Sequence, residues 1–227
     1  MRGMASITTL LATGVVGAAH AGFVTVTGPS GQVGQFTQLS EAMDWIRDSG
    51  DANVDYSVFA PSGTYDGEVD VASNAALSWG NSPGVLEIDG SFRVRPSGRL
   101  TVEIGGTSNA NALTTGDVDY DTIFCTGPVL FEGTLKIDLV NGFTPVFGDR
   151  FEIIVTGGGV TLAPTAVVNG PILGAGLFWE LSVGTGSFAA PGGDYNSTSL
   201  FVTVVPGPSV LAGLAGFLCM ARSRRRA

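Results

Sequence analysis

An all-β domain is the fold class this sequence predicts, and three observations carry the expectation. A short phrase recurs between Pro83 and Gly157. It reads Gly84-Val85-Leu86-Glu87-Ile88-Asp89, then Gly98-Arg99-Leu100-Thr101-Val102-Glu103-Ile104, then Gly133-Thr134-Leu135-Lys136-Ile137-Asp138-Leu139. Each copy is a glycine, a spacer and an aliphatic residue at every second position. An extended chain therefore turns one aliphatic row inward and its charges and hydroxyls outward, with Leu135 inside and Lys136 outside. Second, the 227 residues include 34 glycines and 11 prolines, punctuation suited to many short strands joined by tight turns. Third, a helical period is convincing in one place only, around Ser40. One such strand cannot bury its apolar row alone. Stacked copies can, which predicts a β-solenoid, with a β-sandwich as the alternative. The glycine opening each phrase is expected to turn the chain at positive φ.

In chain order, residues 1–21 read as a secretory signal. Arg2 gives the positive start, Ile7 to Ala19 is apolar and small, and Ala19-His20-Ala21 has the form of a cleavage site, leaving Gly22 as the new N-terminus. Phe23 to Thr27 alternates as a strand, and Gly28 to Gly34 reads as a turn. Ser40 to Arg47 is the helix, with Ser40 as N-cap, Phe36, Leu39, Met43 and Ile46 at helical spacing, and Gly50 as its end. Tyr56 to Ala60 is a strand, Pro61 to Tyr65 a turn, and Val69 to Val71 a short strand. Beyond the three phrases, Phe143, Phe147 and Phe151 are expected to stack inward, and Phe151 to Val155 is a strand apolar on nearly both faces. Later strands are expected at 166–168, 178–183 and 199–205. Pro206 and Pro208 remove backbone donors and stop the sheet. An apolar run, Val210 to Ala221, then leads to Arg222, Arg224, Arg225 and Arg226, the layout of a stop-transfer segment with its arginines in the cytoplasm. Three units follow: a signal peptide at 1–21, a β domain at 22–205, and a sorting or anchoring tail at 206–227.

Composition excludes several functions. All 20 acids lie between Glu41 and Asp194, and six of the 11 basic residues lie in that middle, leaving it at −14. So acidic a surface argues against nucleic acid, which needs basic patches, and is compatible with calcium and neutral glycans. The one histidine, His20, falls in the signal segment. The mature chain is left without histidine for a Ser-His triad, a zinc site or a neutral-pH base. Cys219 lies in the apolar tail, so Cys125 is alone in the folded part, and an intramolecular disulfide framework is excluded. Cys125, within Thr122-Ile123-Phe124-Cys125, reads as a small buried hydrophobe.

Three resemblances extend this reading. Phe36, Leu39, Ala42 and Met43 followed by Ala60-Pro61-Ser62-Gly63-Thr64-Tyr65 resemble the first coil of right-handed β-helix proteins of the pectin lyase type. This implies a helix capping the open end of a short right-handed β-helix. Asn81 to Gly90, Tyr120-Asp121 and Gly133 through Ile154, including Asn141-Gly142-Phe143-Thr144-Pro145 and Gly148-Asp149-Arg150-Phe151, are similar to a module of exported bacterial surface proteins and autotransporter-like β-helices. That likeness implies architecture and surface location. The tail, with Pro206-Gly207-Pro208, the apolar run and the arginines, resembles a PEP-CTERM sorting signal, with Gly207 where that signal most often has glutamate. It implies an exosortase-type membrane protease as partner, transient anchoring by the C-terminal segment, and delivery to the cell surface, outer membrane or extracellular matrix.

Among constellations, Asp117, Asp119 and Asp121 share a face if extended and suit calcium, though a solvated Asp turn fits as well. Arg93, Arg95 and Arg99 near Glu87, Asp89 and Glu103 suit either a polysaccharide-lyase-like site or cross-strand charge pairing. Trp45, Trp79, Trp179, Tyr65, Tyr120 and Tyr195 suit either a sugar platform or core corners. Two function classes stay open. The favoured one is a non-enzymatic structural or adhesive protein with extracellular polysaccharide as a possible partner. The other is a carbohydrate-active or glycan-binding protein.

Overall fold

The computed structural model describes residues 22–80, 83–109, 118–174, 176–186 and 197–207. The chain is mostly β, with one helix among the described residues. It opens on an antiparallel hairpin, β1 (Val24–Gly28) and β2 (Gly31–Phe36). The turn expected over 28–34 shrinks to Pro29-Ser30, because Gly31 takes φ 110 and closes the hairpin at once. Helix α1 (Leu39–Ser49) buries Leu39, Ala42, Met43 and Ile46. Its N-cap is Gln38 rather than Ser40. The Glu41 carboxylate accepts the Gln38 N–H at 3.3 Å and the Thr37 hydroxyl at 3.2 Å, so the start is fixed one turn back from the third residue of the helix. At the other end the Gly50 N–H closes on the Trp45 and Ile46 carbonyls.

Strands then come in triplets. The first is β3 (Tyr56–Ala60), β4 (Gly63–Asp66) and β5 (Val69–Val71). The second is β6 (Ala75–Trp79), β7 (Val85–Asp89) and β8 (Phe92–Val94). The third is β9 (Arg99–Ile104), β10 (Thr122–Cys125) and β11 (Val129–Phe131). The fourth is β12 (Thr134–Leu139), β13 (Arg150–Thr156) and β14 (Val160–Leu162). Last come β15 (Val167–Asn169), β16 (Leu177–Thr185) and β17 (Thr198–Pro206). Part of the expected 61–65 turn is thus strand: only Pro61-Ser62 separates β3 from β4.

Every strand from β3 to β12 pairs in parallel with the strand three places later. Three open sheets result, ordered β15-β12-β9-β6-β3-β1-β2, β16-β17-β13-β10-β7-β4 and β14-β11-β8-β5. The first two are mixed, because β1, β2, β16 and β17 join antiparallel. Registers align apolar residues into ladders. Val58, Leu77, Leu100, Leu135 and Val168 stand in line across the first sheet, and Val71, Val94, Phe131 and Leu162 across the third. The inward rows of all three sheets share one core. The three phrases are β7, β9 and β12, alternating as expected: Leu135 is fully buried and Lys136 half-exposed, paired to Asp138 at 2.7 Å.

Their glycines serve a different purpose from the expected one. Gly98 and Gly133 do not take positive φ; the left-handed residue before Gly98 is Ser97, at φ 66. A Cβ on Gly133 would collide with the Gly98 carbonyl, and one on Gly90 with the Gly67 carbonyl. Successive turns stack at about the 4.8 Å strand spacing, and glycine is what that approach admits. Of the three phenylalanines expected inside, Phe151 is fully buried and Phe143 meets its ring edge-on at 6.1 Å, but Phe147 is 65% exposed. It sits on a tight turn in which the Asp149 carboxylate accepts the Val146 N–H at 2.8 Å, aiming the ring outward.

Candidate functional site

The outer face of the second sheet concentrates the polar chemistry. Side chains alternate, so Glu87, Thr122, Phe124, Glu152 and Ser199 oppose the core-facing Leu86, Ile123, Phe151 and Leu200. Part of this face is buried rather than wet: Thr122 and Ser199 are fully buried, and Asn109, Glu152 and Ser197 nearly so. Asn109, five residues past β9, packs against the start of β10. Its amide nitrogen donates to the Tyr120 carbonyl at 2.8 Å and the Thr122 hydroxyl oxygen at 2.6 Å. Its oxygen accepts the Asp119 and Tyr120 N–H groups at 3.0 and 3.2 Å. The Thr122 hydroxyl donates onward to the Glu152 carbonyl at 3.3 Å, and the Ser199 hydroxyl donates to Glu152 Oε1 at 2.6 Å. A hydroxyl this close to a carboxylate has the contact of a nucleophile and its base. Both groups are closed off from a substrate, however. Their bond joins β13 to β17, where the sheet changes from parallel to antiparallel pairing. The contact is a clamp across that junction.

Asp121 is a second clamp. Its carboxylate is buried and accepts two main-chain N–H bonds, from Gly84 at 2.6 Å and Glu103 at 2.8 Å, so it ties β7 and β9 to the start of β10. Burial pushes its pKa up to about 7, while the two N–H bonds pull the other way. Desolvation also raises Tyr120 to about 12 and Cys125 to about 11. Cys125 is 4% exposed, and its thiol donates to the Gly90 carbonyl at 2.8 Å. It is a small packed group, as its sequence context predicts, and not a thiolate nucleophile.

Beside the clamps lies a groove of about 210 Å³, lined by Thr64, Glu87, Ile88, Asp89, Phe124, Cys125 and Thr126. Its polar edge is ordered by contacts between neighbouring strands. Thr64 donates to Glu87 at 3.1 Å, and Thr126 donates to Asp89 at 2.9 Å. Each carboxylate is thereby aimed along the groove with acceptor capacity remaining, above an apolar floor.

The structure separates several residues that spacing grouped. Asp119 accepts the Ser108 N–H at 3.0 Å while Asp121 turns to Gly84 and Glu103; Asp117 lies outside the described residues. Among the described residues no group of three or more His, Cys, Asp and Glu is arranged to hold a metal ion. Arg93 pairs with Glu132 and Arg95 with Asp70, both at 2.6 Å across neighbouring strands, rather than with Glu87, Asp89 or Glu103. The described tryptophans and tyrosines of the proposed platform are core and corner fillers. Tyr65 and Trp79 are buried, Trp45 packs edge-on to Tyr56 at 5.8 Å, Tyr120 edge-on to Phe151 at 5.4 Å, and Trp179 lies 6.2 Å from Phe151. Tyr195 lies outside the described residues, as do Ala19, Ala21, Pro208, Arg222, Arg224, Arg225 and Arg226. Gly22 is described, Pro206 ends β17, and the Gly207 N–H donates to the Gly176 carbonyl at 2.6 Å. Among the described residues no helix is long and apolar enough to cross a membrane.

Sequence reasoning missed Glu152 as a structural polar group. The available signal was a lone carboxylate inside Phe151-Glu152-Ile153-Ile154-Val155. No protein-family model matches this chain, and no curated protein is similar enough to count as a relative.

Proposed function

We propose that this chain is an exported, non-enzymatic structural or adhesive protein of the cell surface or extracellular matrix. Its folded part is a short right-handed β-helix. Its tail is a PEP-CTERM-type signal handled by an exosortase-type membrane protease. The observation that carries the reading is the parallel pairing of each strand from β3 to β12 with the strand three places later. A chain that repeats a three-strand turn grows by stacking, and parallel crossovers are right-handed in nearly all sheets. Such a stack is a stiff body whose lateral faces are available for display. The Arg93–Glu132 and Arg95–Asp70 pairs lie along one of these faces and join one turn to the next. The signal and tail patterns of the sequence supply the export route. Mass spectrometry of the surface and medium fractions tests it. The reading expects a chain starting at Gly22 and lacking the arginine tail. An intact chain starting at Met1 in the cytoplasm contradicts it.

A second reading rests on the groove. Glu87 and Asp89, held by Thr64 and Thr126 on the groove's polar edge, suit the hydroxyls of a neutral sugar, and their charge disfavours uronic acids. Titration with neutral and uronate oligosaccharides tests it. Glu87→Gln should weaken neutral-sugar binding about tenfold, in line with loss of a charge-assisted hydrogen bond. Equal binding of both sugar classes contradicts the reading.

A further inference from the structure

We infer that the end of the domain around Pro206-Gly207 is a lipid-facing apron that rests on the bilayer into which the tail inserts. This rests on the proposed reading of the tail as a membrane segment. Three neighbouring chain segments meet at this end. β17 runs out at Pro206, with Leu177 and Phe178 of β16 opposite Pro206 and Val205. On its other side, the Gly148 N–H donates to the Val204 carbonyl, which puts the 146–149 turn beside the strand's last residues. Here the molecule shows apolar surface. Val146 is 58% exposed, Phe147 65%, Phe178 53%, and Ile172, in the segment that leads into β16, wholly so. Of the eight large hydrophobic residues exposed among those described, Val146, Phe147 and Phe178 flank the end of β17, and Ile172 lies on the segment leading into β16. The turn is held in place by Asp149, which accepts the Val146 N–H and donates its own N–H to the Val146 carbonyl at 3.1 Å. Its apolar side chains are therefore presented by a fixed loop. Phe178 also lies against Gly207 closely enough that a Cβ there would collide with the ring.

Chain length identifies the occupant. The apolar run begins at Val210, three residues beyond Gly207. Three residues reach about 10 Å even when extended. If Val210 to Ala221 enters a bilayer, this end of the domain is tethered at the headgroup layer. Phe147 and Phe178 then have the depth and chemistry of interfacial anchors. The run is 12 residues, shorter than the roughly 20 that span a hydrocarbon core. Apolar side chains bearing on the interface from outside add to its hold. The protein's acidic surface favours a zwitterionic outer leaflet over an anionic one.

The test uses the full chain from Gly22 in phosphatidylcholine vesicles, with and without bromine high on the acyl chains. Flotation reports whether the tail holds the chain to the vesicle. A tryptophan added by Phe147→Trp reports the apron, and one added by Phe59→Trp, at the opposite end of the stack, is the control; both parent side chains are exposed. The extra emission of Phe147→Trp should fall about twofold in brominated vesicles, as an interfacial residue does, and that of Phe59→Trp should not change. Flotation with equal, unquenched emission at both positions overturns the apron and leaves the tail reading intact. Failure to float overturns the tail reading, and the apron with it.

Discussion

The two ends of the three sheets are finished in different ways. At the N-terminal end α1 covers the core with Leu39, Met43 and Ile46, none more than 1% exposed. Gln38, just before the helix, accepts the Asp66 N–H at the edge of β4 at 3.2 Å, which satisfies an edge donor. At the C-terminal end β14 and β15 are edge strands, and β16 carries the second sheet to its own edge. Leu162, Val168, Leu173, Leu177, Trp179 and Leu181 pack against the core there but are only partly buried. The helix is a closure; the β16–β17 hairpin is a partial cover. The same core therefore has a firm end and a soft end, and the soft end is the one from which the tail departs.

The largest effect should come from charging the closure. Met43→Asp places an unpaired carboxylate in a fully buried site, at a cost of several kcal/mol that is comparable with a domain's whole stability. Leu181→Asp puts the same group on a half-buried strand that can hydrate it. Thermal melts should show Met43→Asp unfolded and Leu181→Asp folded with a lowered Tm. Equal losses would erase the distinction between the ends.

Next in size is a methyl group in the stacked turns. Gly90→Ala drives its Cβ into the Gly67 carbonyl, whereas at Gly174, near the soft end, a Cβ meets nothing within 4 Å. Gly90→Ala should cost about 2 kcal/mol or more, as overpacking against backbone does. Gly174→Ala should be neutral or slightly stabilising through the unfolded chain. Denaturant midpoints at constant slope check both.

These turns mark where the sequence stopped being legible. The strands β7, β9 and β12 could be read because each alternates over five or six residues. Strands of three residues were legible only in part: Val69 to Val71 and most of β15 were expected, whereas Phe92-Arg93-Val94, Val129-Leu130-Phe131 and β14 passed unread. The phrase glycines were recognised, but for the wrong reason, since close approach between turns is a long-range fact. The candidate site was harder still. Asp121 reads as an exposed member of an alternating acidic run. The single bridge of Tyr120 to Ile104 and the packing of Asn109 against the start of β10 bury Tyr120 and Asp121 together, which no local pattern encodes.

Asp121 sets the pH dependence between the ends. Its folded pKa, about 7, stands above the ordinary value near 4, so the folded state holds its proton more tightly than the unfolded chain. The stability this supplies is complete below pH ~4 and is lost as pH rises through ~7. Tm should therefore decline across that window, and Asp121→Asn should flatten the decline whatever its absolute effect. An unchanged slope would remove Asp121 as its source. Smallest of all, Arg95→Ala breaks the pair with Asp70 along the side of the stack. It should cost no more than about 1 kcal/mol, as a partly exposed ion pair does, and leave both ends alike.

Hydrogen exchange of the folded chain, resolved along the sequence, tests the contrast of the ends most directly. Amides of β3, under the helix, and of β6 beside it should exchange as slowly as those of β9 and β12 in the middle and open only with the whole domain. Amides of β14 and β15 should exchange faster by local opening, with β16 fastest along its unpaired edge. Uniform protection across all of these strands, or faster exchange in β3 than in β15, would contradict sheets that are firm at the helix and soft at β14 and β15.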